Sequence, residues 1–250
     1  MAVTRTTTLF AMKALQLSIS GSWGHFRKPE TNRTPLTHDF ITKTAFIGMM
    51  GAVVGVEREE MRPAFPKFSE DLLYGVRLRR PVQKEPHGFI TRSAKYPGRT
   101  HDGSGERLLG RKRFEFLKKP HFQVAVALQD ERSGDFFDEF LHCVESGKAQ
   151  YTPVLGWHNC PANLSLVSSG TFADPQTGAF EASCFVSNDH HVESTGASFH
   201  IGIDRIPTYQ ENFWNRPDYY ETVLYPFGDH LMEVEGEYFE YDNGECWWLT

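Results

Sequence analysis

The alternation of Ala14, Leu15, Leu17 and Ile19 with polar partners over residues 13–19 predicts a first β-strand. It runs into Ser20-Gly21-Ser22-Trp23-Gly24-His25-Phe26, whose glycines permit tight turns or close backbone approach. After a loop through Pro29 and Pro35 the period changes. Ala45, Phe46, Met49, Met50, Val53 and Val54 recur at helical spacing behind Thr42, which suits an N-cap. Gly48, Gly51 and Gly55 lower intrinsic helicity, so a helix held by tight packing against a sheet or a ligand is expected.

A second strand is predicted within residues 71–80. Leu72, Tyr74, Val76 and Leu78 share one parity and Arg77 and Arg79 the other, which leaves one face basic. Residues 84–119 then form a polar, glycine-rich, basic excursion before an apolar strand at 122–128. Beyond Ser133-Gly134, Phe136, Phe137, Phe140, Leu141 and Val144 supply the stripe of a second helix, and a fourth strand falls near 163–167. The order β-α-β, long insertion, β-α-β predicts an α+β fold of the ferredoxin-like (RRM-like) kind. Short aromatic and β-branched runs at 179–186, 198–206, 219–225 and 231–239 add further strands, with turns at Asp174-Pro175, Asp189 and Asp242-Asn243-Gly244. The predicted organisation is a flexible N-terminal extension over 1–11, a main domain over 12–170 with its insertion at 84–119, and an acidic β-rich extension over 171–250.

Composition supports a folded chain: 40% of its 250 residues are hydrophobic, enough for a sizeable core. Cys143, Cys160, Cys184 and Cys246 have no close pairing, so neither a disulfide framework nor a zinc knuckle is indicated, and a reduced, cytoplasmic protein is expected. The apolar stretch 45–56 is too short and glycine-rich to span a bilayer, and no membrane association is expected. Charge changes the picture more. Residues 1–125 hold 22 Lys and Arg against 11 Asp and Glu, whereas residues 126–250 hold 4 against 21. The net −6 conceals a front half of +11 and a rear half of −17, which points to a one-sided surface for a polyanion. An uneven but merely solvated surface is the competing account.

The segment Trp23-Gly24-His25-Phe26-Arg27-Lys28 sets aromatics, a histidine and cations beside glycines at a strand end. Those side chains suit unpaired RNA, which needs stacking for bases and charged donors for phosphates. A Trp–Phe core plug with snorkelling cations would look the same in sequence. Lys43 stands at the start of the first helix, where the dipole favours an anion. In the insertion, Gly103-Ser104-Gly105-Glu106-Arg107-Leu108-Leu109-Gly110-Arg111-Lys112-Arg113-Phe114 is neither a Walker loop nor a dinucleotide fingerprint. It reads as a hairpin tipped with charge. Arg92, Lys95, Arg99, Arg107, Arg111, Lys112 and Arg113 offer about seven phosphate contacts and a steep salt dependence. No catalytic group, cofactor or metal site has diagnostic spacing. His101-Asp102 and Lys118-Lys119-Pro120-His121 leave acid–base RNA cleavage as an alternative, and Asp189-His190-His191 reads better as a solvent-facing turn than as a metal site.

Taken in order, Lys13-Ala14-Leu15-Gln16-Leu17, Gly21-Ser22-Trp23-Gly24-His25-Phe26-Arg27-Lys28-Pro29-Glu30-Thr31 and Thr42-Lys43-Thr44-Ala45 with Gly48 and Gly51 resemble the CRISPR-associated Cas-five family of RAMP proteins, closest to its type I-B-like branch. Residues 111–120, the strand 122–128 and Tyr151-Thr152-Pro153-Val154-Leu155-Gly156 extend the resemblance over roughly residues 13–170. The resemblance implies a non-catalytic subunit of the hetero-oligomeric Cascade complex that binds and caps the 5′ handle of the crRNA. It further implies contacts with the backbone subunit and the large subunit, near the protospacer-adjacent motif of target DNA. On this chain it places Trp23, His25, Arg27, Lys28 and Lys43 at the handle, and makes 84–119 a thumb with Arg107, Arg111, Lys112 and Arg113 as RNA contacts. One branch of the family cleaves precursor crRNA without metal; Lys118 and His121 keep that activity as the alternative.

Overall fold

The computed structural model describes residues 11–31, 34–92, 109–193, 200–207, 220–227 and 230–250. The chain runs β1 (Met12–Gly21), β2 (Trp23–Gly24), α1 (Lys43–Val54), α2 (Arg58–Asp71), β3 (Leu72–Leu78), β4 (Lys84–Arg92), β5 (Leu109–Lys118), β6 (His121–Leu128), α3 (Gly134–Glu145) and β7 (Ala162–Phe172). It continues with β8 (Gln176–Ala182), β9 (Val186–Ser187), β10 (His191–Glu193), β11 (Ile201–Pro207), β12 (Tyr220–Pro226), β13 (Met232–Glu240) and β14 (Cys246–Trp247). The fold is thus mixed α/β and rich in strands. No helix among the described residues is long and apolar enough to cross a membrane.

The principal sheet has the order β3-β6-β1-β7, with every neighbouring pair antiparallel. Its central strands are covered on both faces. Leu15, Leu17 and Ile19 of β1 are buried, but so is Gln16, which accepts a hydrogen bond from Gln123 Nε2 at 2.5 Å and donates to Glu245 Oε2 at 3.2 Å. The polar parity of β1 therefore faces a second layer of protein, as buried amides require partners. Helix α1 begins where Thr42 Oγ1 accepts from Ala45 N and ends at Gly55, whose φ of 95° gives the left-handed cap. Phe46 of α1 meets Phe140 of α3 edge to face at 6.3 Å, joining the two helices over the sheet.

Helix α2 escapes a reading by hydrophobic period because Pro63 and Pro66 lie inside it and remove backbone donors. Packing and end contacts hold it. Phe68 stacks on Phe136 at 4.0 Å, and the fully buried Asp71 carboxylate accepts from Ser133 Oγ at 2.5 Å and from Arg132.

Residues beyond 171 share the core of the first half. Strands β10, β13 and β8 form one sheet, with β14 on the far end of β13, and β11-β12-β9 form another. Phe185 N donates to Val76 O at 2.9 Å, and Tyr74 and Thr250 exchange two backbone hydrogen bonds of 3.0 Å. Phe40, Tyr74, Phe185, Tyr225 and Trp247 all belong to one buried cluster. This layer corrects the expectation of a basic face on β3 at Arg77, whereas Arg79 stays exposed. The Arg77 guanidinium lies 4.5 Å from the Trp247 ring centroid and donates to Glu245 at 3.2 Å, leaving Arg77 only 9% exposed.

Candidate nucleic-acid interface

Strands β2, β5 and β4 make a separate three-stranded sheet, with Trp23 opposite Lys118 and Gly24 opposite Leu117. The two motifs that sequence set far apart, Trp23–Lys28 and Arg111–Arg113, are therefore joined through one sheet, in which β2 pairs with the base of the strand that carries the arginines. Alternation along β5 puts Lys112, Phe114, Phe116 and Lys118 on one face and Arg111, Arg113, Glu115 and Leu117 on the other. Near its base the first face is aromatic. His87 pairs with Phe114 across the ladder, and Trp157 stacks on Phe114 at 5.1 Å and on Phe116 at 5.3 Å. Trp23 meets His87 edge-on at 4.5 Å. Further out the hairpin is bare on both faces: Arg111, Lys112 and Arg113 are exposed, and Ile90, opposite Arg111, is 68% exposed. Arg113 stands about 17 Å along the strand from Lys118.

Gly156 seats Trp157 on this sheet. Its φ is +78°, and a Cβ there would lie 2.2 Å from His25 O and 2.9 Å from the Phe26 ring. Only glycine combines that backbone with that approach. Gly156→Ala is expected to cost about 3 kcal/mol in urea unfolding. Gly147→Ala, at a similar φ of +63° with nothing within 4 Å, is expected to cost about 1 kcal/mol. Equal losses would show that backbone strain alone, and not the close approach, matters at Gly156.

An open cleft of about 840 Å³ lies beside the sheet, lined by His25, Arg27, Arg58, Phe114, Trp157 and Tyr220 among others. His25 is 7% exposed and its Nδ1 sits 2.7 Å from Glu115 O. Burial lowers its pKa from the usual imidazole value, the bond to Glu115 O pulls the other way, and the charge of Arg27 adds to the lowering. The ring is neutral at pH 7. Arg27 is exposed and donates to Thr31 O at 3.2 Å.

Two of the expected cations are turned inward. Lys28 Nζ is 2.5 Å from the carboxylate of Asp204, whose side chain is fully buried. Asp204 also accepts from Asp39 N at 2.7 Å and Arg205 N at 2.8 Å, with His38 Nδ1 at 3.3 Å. Next to it, Lys84 Nζ pairs with Asp39 at 2.5 Å and lies 3.5 Å from Glu115, while Tyr225 OH donates to Asp39. Lys43 is 6% exposed, its Nζ donates to Thr250 O at 3.0 Å, and burial pushes its pKa down to about 8. The structure thus brings Trp23, His25, Arg27, Arg111, Lys112 and Arg113 to one sheet and its cleft, and engages Lys28 and Lys43 in internal contacts. Arg107 lies outside the described residues, as do Lys95, Arg99 and His101-Asp102.

Lys118 and His121 also have partners. Lys118 Nζ donates to Glu85 at 2.9 Å, and His121 Nε2 is 2.9 Å from Ser18 Oγ. Burial first, then the charges of Arg80 and Arg79, lower the His121 pKa. His121 and Arg79 line a second open cleft, of about 820 Å³, together with Arg77 and His230. Among the described residues no three His, Cys, Asp or Glu side chains are grouped to hold a metal ion.

Trp157, Arg58 and Tyr220 are the site residues that sequence reading missed. A tryptophan directly after a glycine, in a polar stretch free of periodicity, was the available signal for the first. The aromatic alternation His87, Phe89 against Phe114, Phe116 was the other.

No curated protein matches this chain. In solved structures, a chain of a CRISPR RNA-guided surveillance complex is similar at 15% identity, covering 89% of this chain and 91% of that one, with a TM-score of 0.51. A CRISPR protein from Archaeoglobus fulgidus is similar at 10% identity, covering 96% and 99%, with a TM-score of 0.56. These two likenesses establish the fold. A family model described as CRISPR-associated protein (Cas_Cas5) matches residues 14–216, most of the chain and both halves of the site. The chain belongs to the CRISPR-associated Cas5 family.

Proposed function

We propose that this chain is a non-catalytic, RNA-holding subunit of a CRISPR effector complex of the Cascade kind, in the type I-B-like branch, and that it grips the 5′ handle of the crRNA. The observation that carries the reading is the joining of the Trp23 motif to the protruding Arg111–Arg113 hairpin in one sheet. The strand order β3-β6-β1-β7, built from two β-α-β halves, supports a ferredoxin-like core whose insertion, residues 84–119, acts as the thumb. Arg27, Arg111, Lys112 and Arg113 contact phosphates, Trp23 and Trp157 give the aromatic floor, and Lys28 and Lys43 brace the loops behind them. Phosphate contacts position the strand, and pairing of the guide to DNA supplies target sequence. Glu181, Glu193, Glu233 and Glu235 on the rear sheets offer an acidic face to basic neighbours, the backbone and large subunits being the expected ones.

His121, neutral at pH 7 beside Arg79 and Arg80, favours a second reading, metal-independent cleavage of precursor crRNA. The pairing of Lys118 with Glu85 counts against it. Photo-crosslinking of the reconstituted complex tests the first reading. Crosslinks from Trp23 and the hairpin are expected at the 5′ handle, and crosslinks confined to the spacer or the 3′ end would sink it. In the same assembly, cleavage of precursor repeat RNA in chelator that His121→Ala abolishes would replace it with the second.

A further inference from the structure

His25 carries a hydrogen-bonding atom that the fold leaves unused. Its backbone N–H donates to Leu155 O at 2.9 Å, and its ring Nδ1 lies 2.7 Å from Glu115 O. A carbonyl oxygen only accepts, so Nδ1 carries the hydrogen and Nε2 of the neutral ring is a bare acceptor. Nε2 is buried and has no hydrogen-bond partner among the described residues. Folded proteins seldom leave such an atom unpaired, and those that do tend to use it.

The backbone N–H and ring Nδ1 of His25 are both hydrogen-bonded, and its aromatic neighbours come from two different segments. Phe114 and Phe116, at 5.7 and 5.3 Å from the ring, belong to β5. Trp157, at 6.1 Å, belongs to the bend after Gly156 and not to a strand. The cleft that His25 lines also presents Arg27, Arg58 and Tyr220, which suit a phosphate and a base face.

We propose that His25 Nε2 accepts a hydrogen bond from a single-stranded nucleotide in this cleft, the donor being an exocyclic base amino group or a ribose 2′-hydroxyl. The proposal rests on the RNA-holding reading above and adds a discriminating atom to it. The imidazole acts as a selector of donor-bearing nucleotides, and entry of the nucleotide moves Trp157 aside.

The full chain is titrated with fluorescent oligo(rA), oligo(rC), oligo(rU) and oligo(dA), beside His25→Phe, which keeps an aromatic ring and deletes the acceptor. Loss of one hydrogen bond of this kind changes affinity on the order of tenfold. If the base amine is the donor, the parent prefers oligo(rA) or oligo(rC) over oligo(rU) by that factor, and His25→Phe abolishes the preference without weakening oligo(rU). If the 2′-hydroxyl is the donor, the preference abolished is that of oligo(rA) over oligo(dA). Unchanged discrimination in a folded His25→Phe overturns the proposal. Should His25→Phe fail to fold, ¹⁵N NMR of the histidine-labelled parent decides: the Nε2 resonance must move on adding oligo(rA) or oligo(rC), and a static resonance overturns it. Binding that depends on Arg111 and Arg113 but not on His25 defeats this proposal alone, whereas a parent that binds none of the four defeats the RNA reading with it.

Discussion

Alanine at both Arg111 and Arg113 is expected to weaken binding of handle RNA about 30-fold, from roughly 1 kcal/mol for each exposed charged contact. It is also expected to flatten the dependence of log affinity on log salt by about 1.4, the share of two phosphates on a single strand. Both side chains share one parity of β5 and are exposed on a hairpin whose opposite residue, Ile90, is also bare. Thermal stability should therefore stay where it was. Fluorescence anisotropy across a salt series, with a melting curve beside it, checks both halves of the prediction. An unchanged affinity and slope would remove the hairpin from the RNA path, and a fall in melting temperature would mean that the arginines serve the fold.

Asp204→Ala is expected to cost about 3–5 kcal/mol, the usual penalty for breaking a buried charge cluster from one side. Its carboxylate is shared by Lys28, His38 and two backbone amides, so removal strands the Lys28 ammonium and the Asp39 N–H together. Burial by itself would raise the Asp204 pKa. The bond and charge of His38, the bond from Lys28 and the Asp39 amide reverse that and hold it well below the usual carboxylate range. A depressed folded pKa means stability that is fully present above the unfolded value, about 3.9, and is lost as pH falls through the folded one. The gap between parent and Asp204→Asn in urea should therefore be constant near neutrality and shrink only in strong acid. A gap that already closes near neutrality would overturn this account of the Asp204 carboxylate.

How far the chain could be read from its sequence follows from which forces are local. Strands β1, β3, β6 and β7 and helices α1 and α3 carry their period in neighbouring residues and were legible. Helix α2 was not, because Pro63 and Pro66 oppose it locally and the stacking of Phe68 on Phe136 comes from a distant helix. The site divides the same way. Trp23, His25 and Arg27 were marked by their glycine-flanked string, and Arg111–Arg113 by their density of charge. Which cations face inward is decided by partners remote in sequence: Asp204 for Lys28, Thr250 for Lys43, Glu245 and Trp247 for Arg77. A charge count sees none of these pairings. The excess of positive charge in the front half is in part the counterweight to acids of the rear half rather than surface left for a ligand.

The backbone exchange between Tyr74 and Thr250, with Phe185 bonded to Val76 beside it, has a bearing on synthesis. Strand β3 is synthesised well before the two segments that close over it, at Phe185 and Thr250. Pairings so distant in the chain form slowly, and until they form the strand is open to other chains. Cells making this protein therefore carry nascent chains with an unfinished sheet, and its yield should respond to translation rate and chaperone supply more strongly than its final stability would suggest.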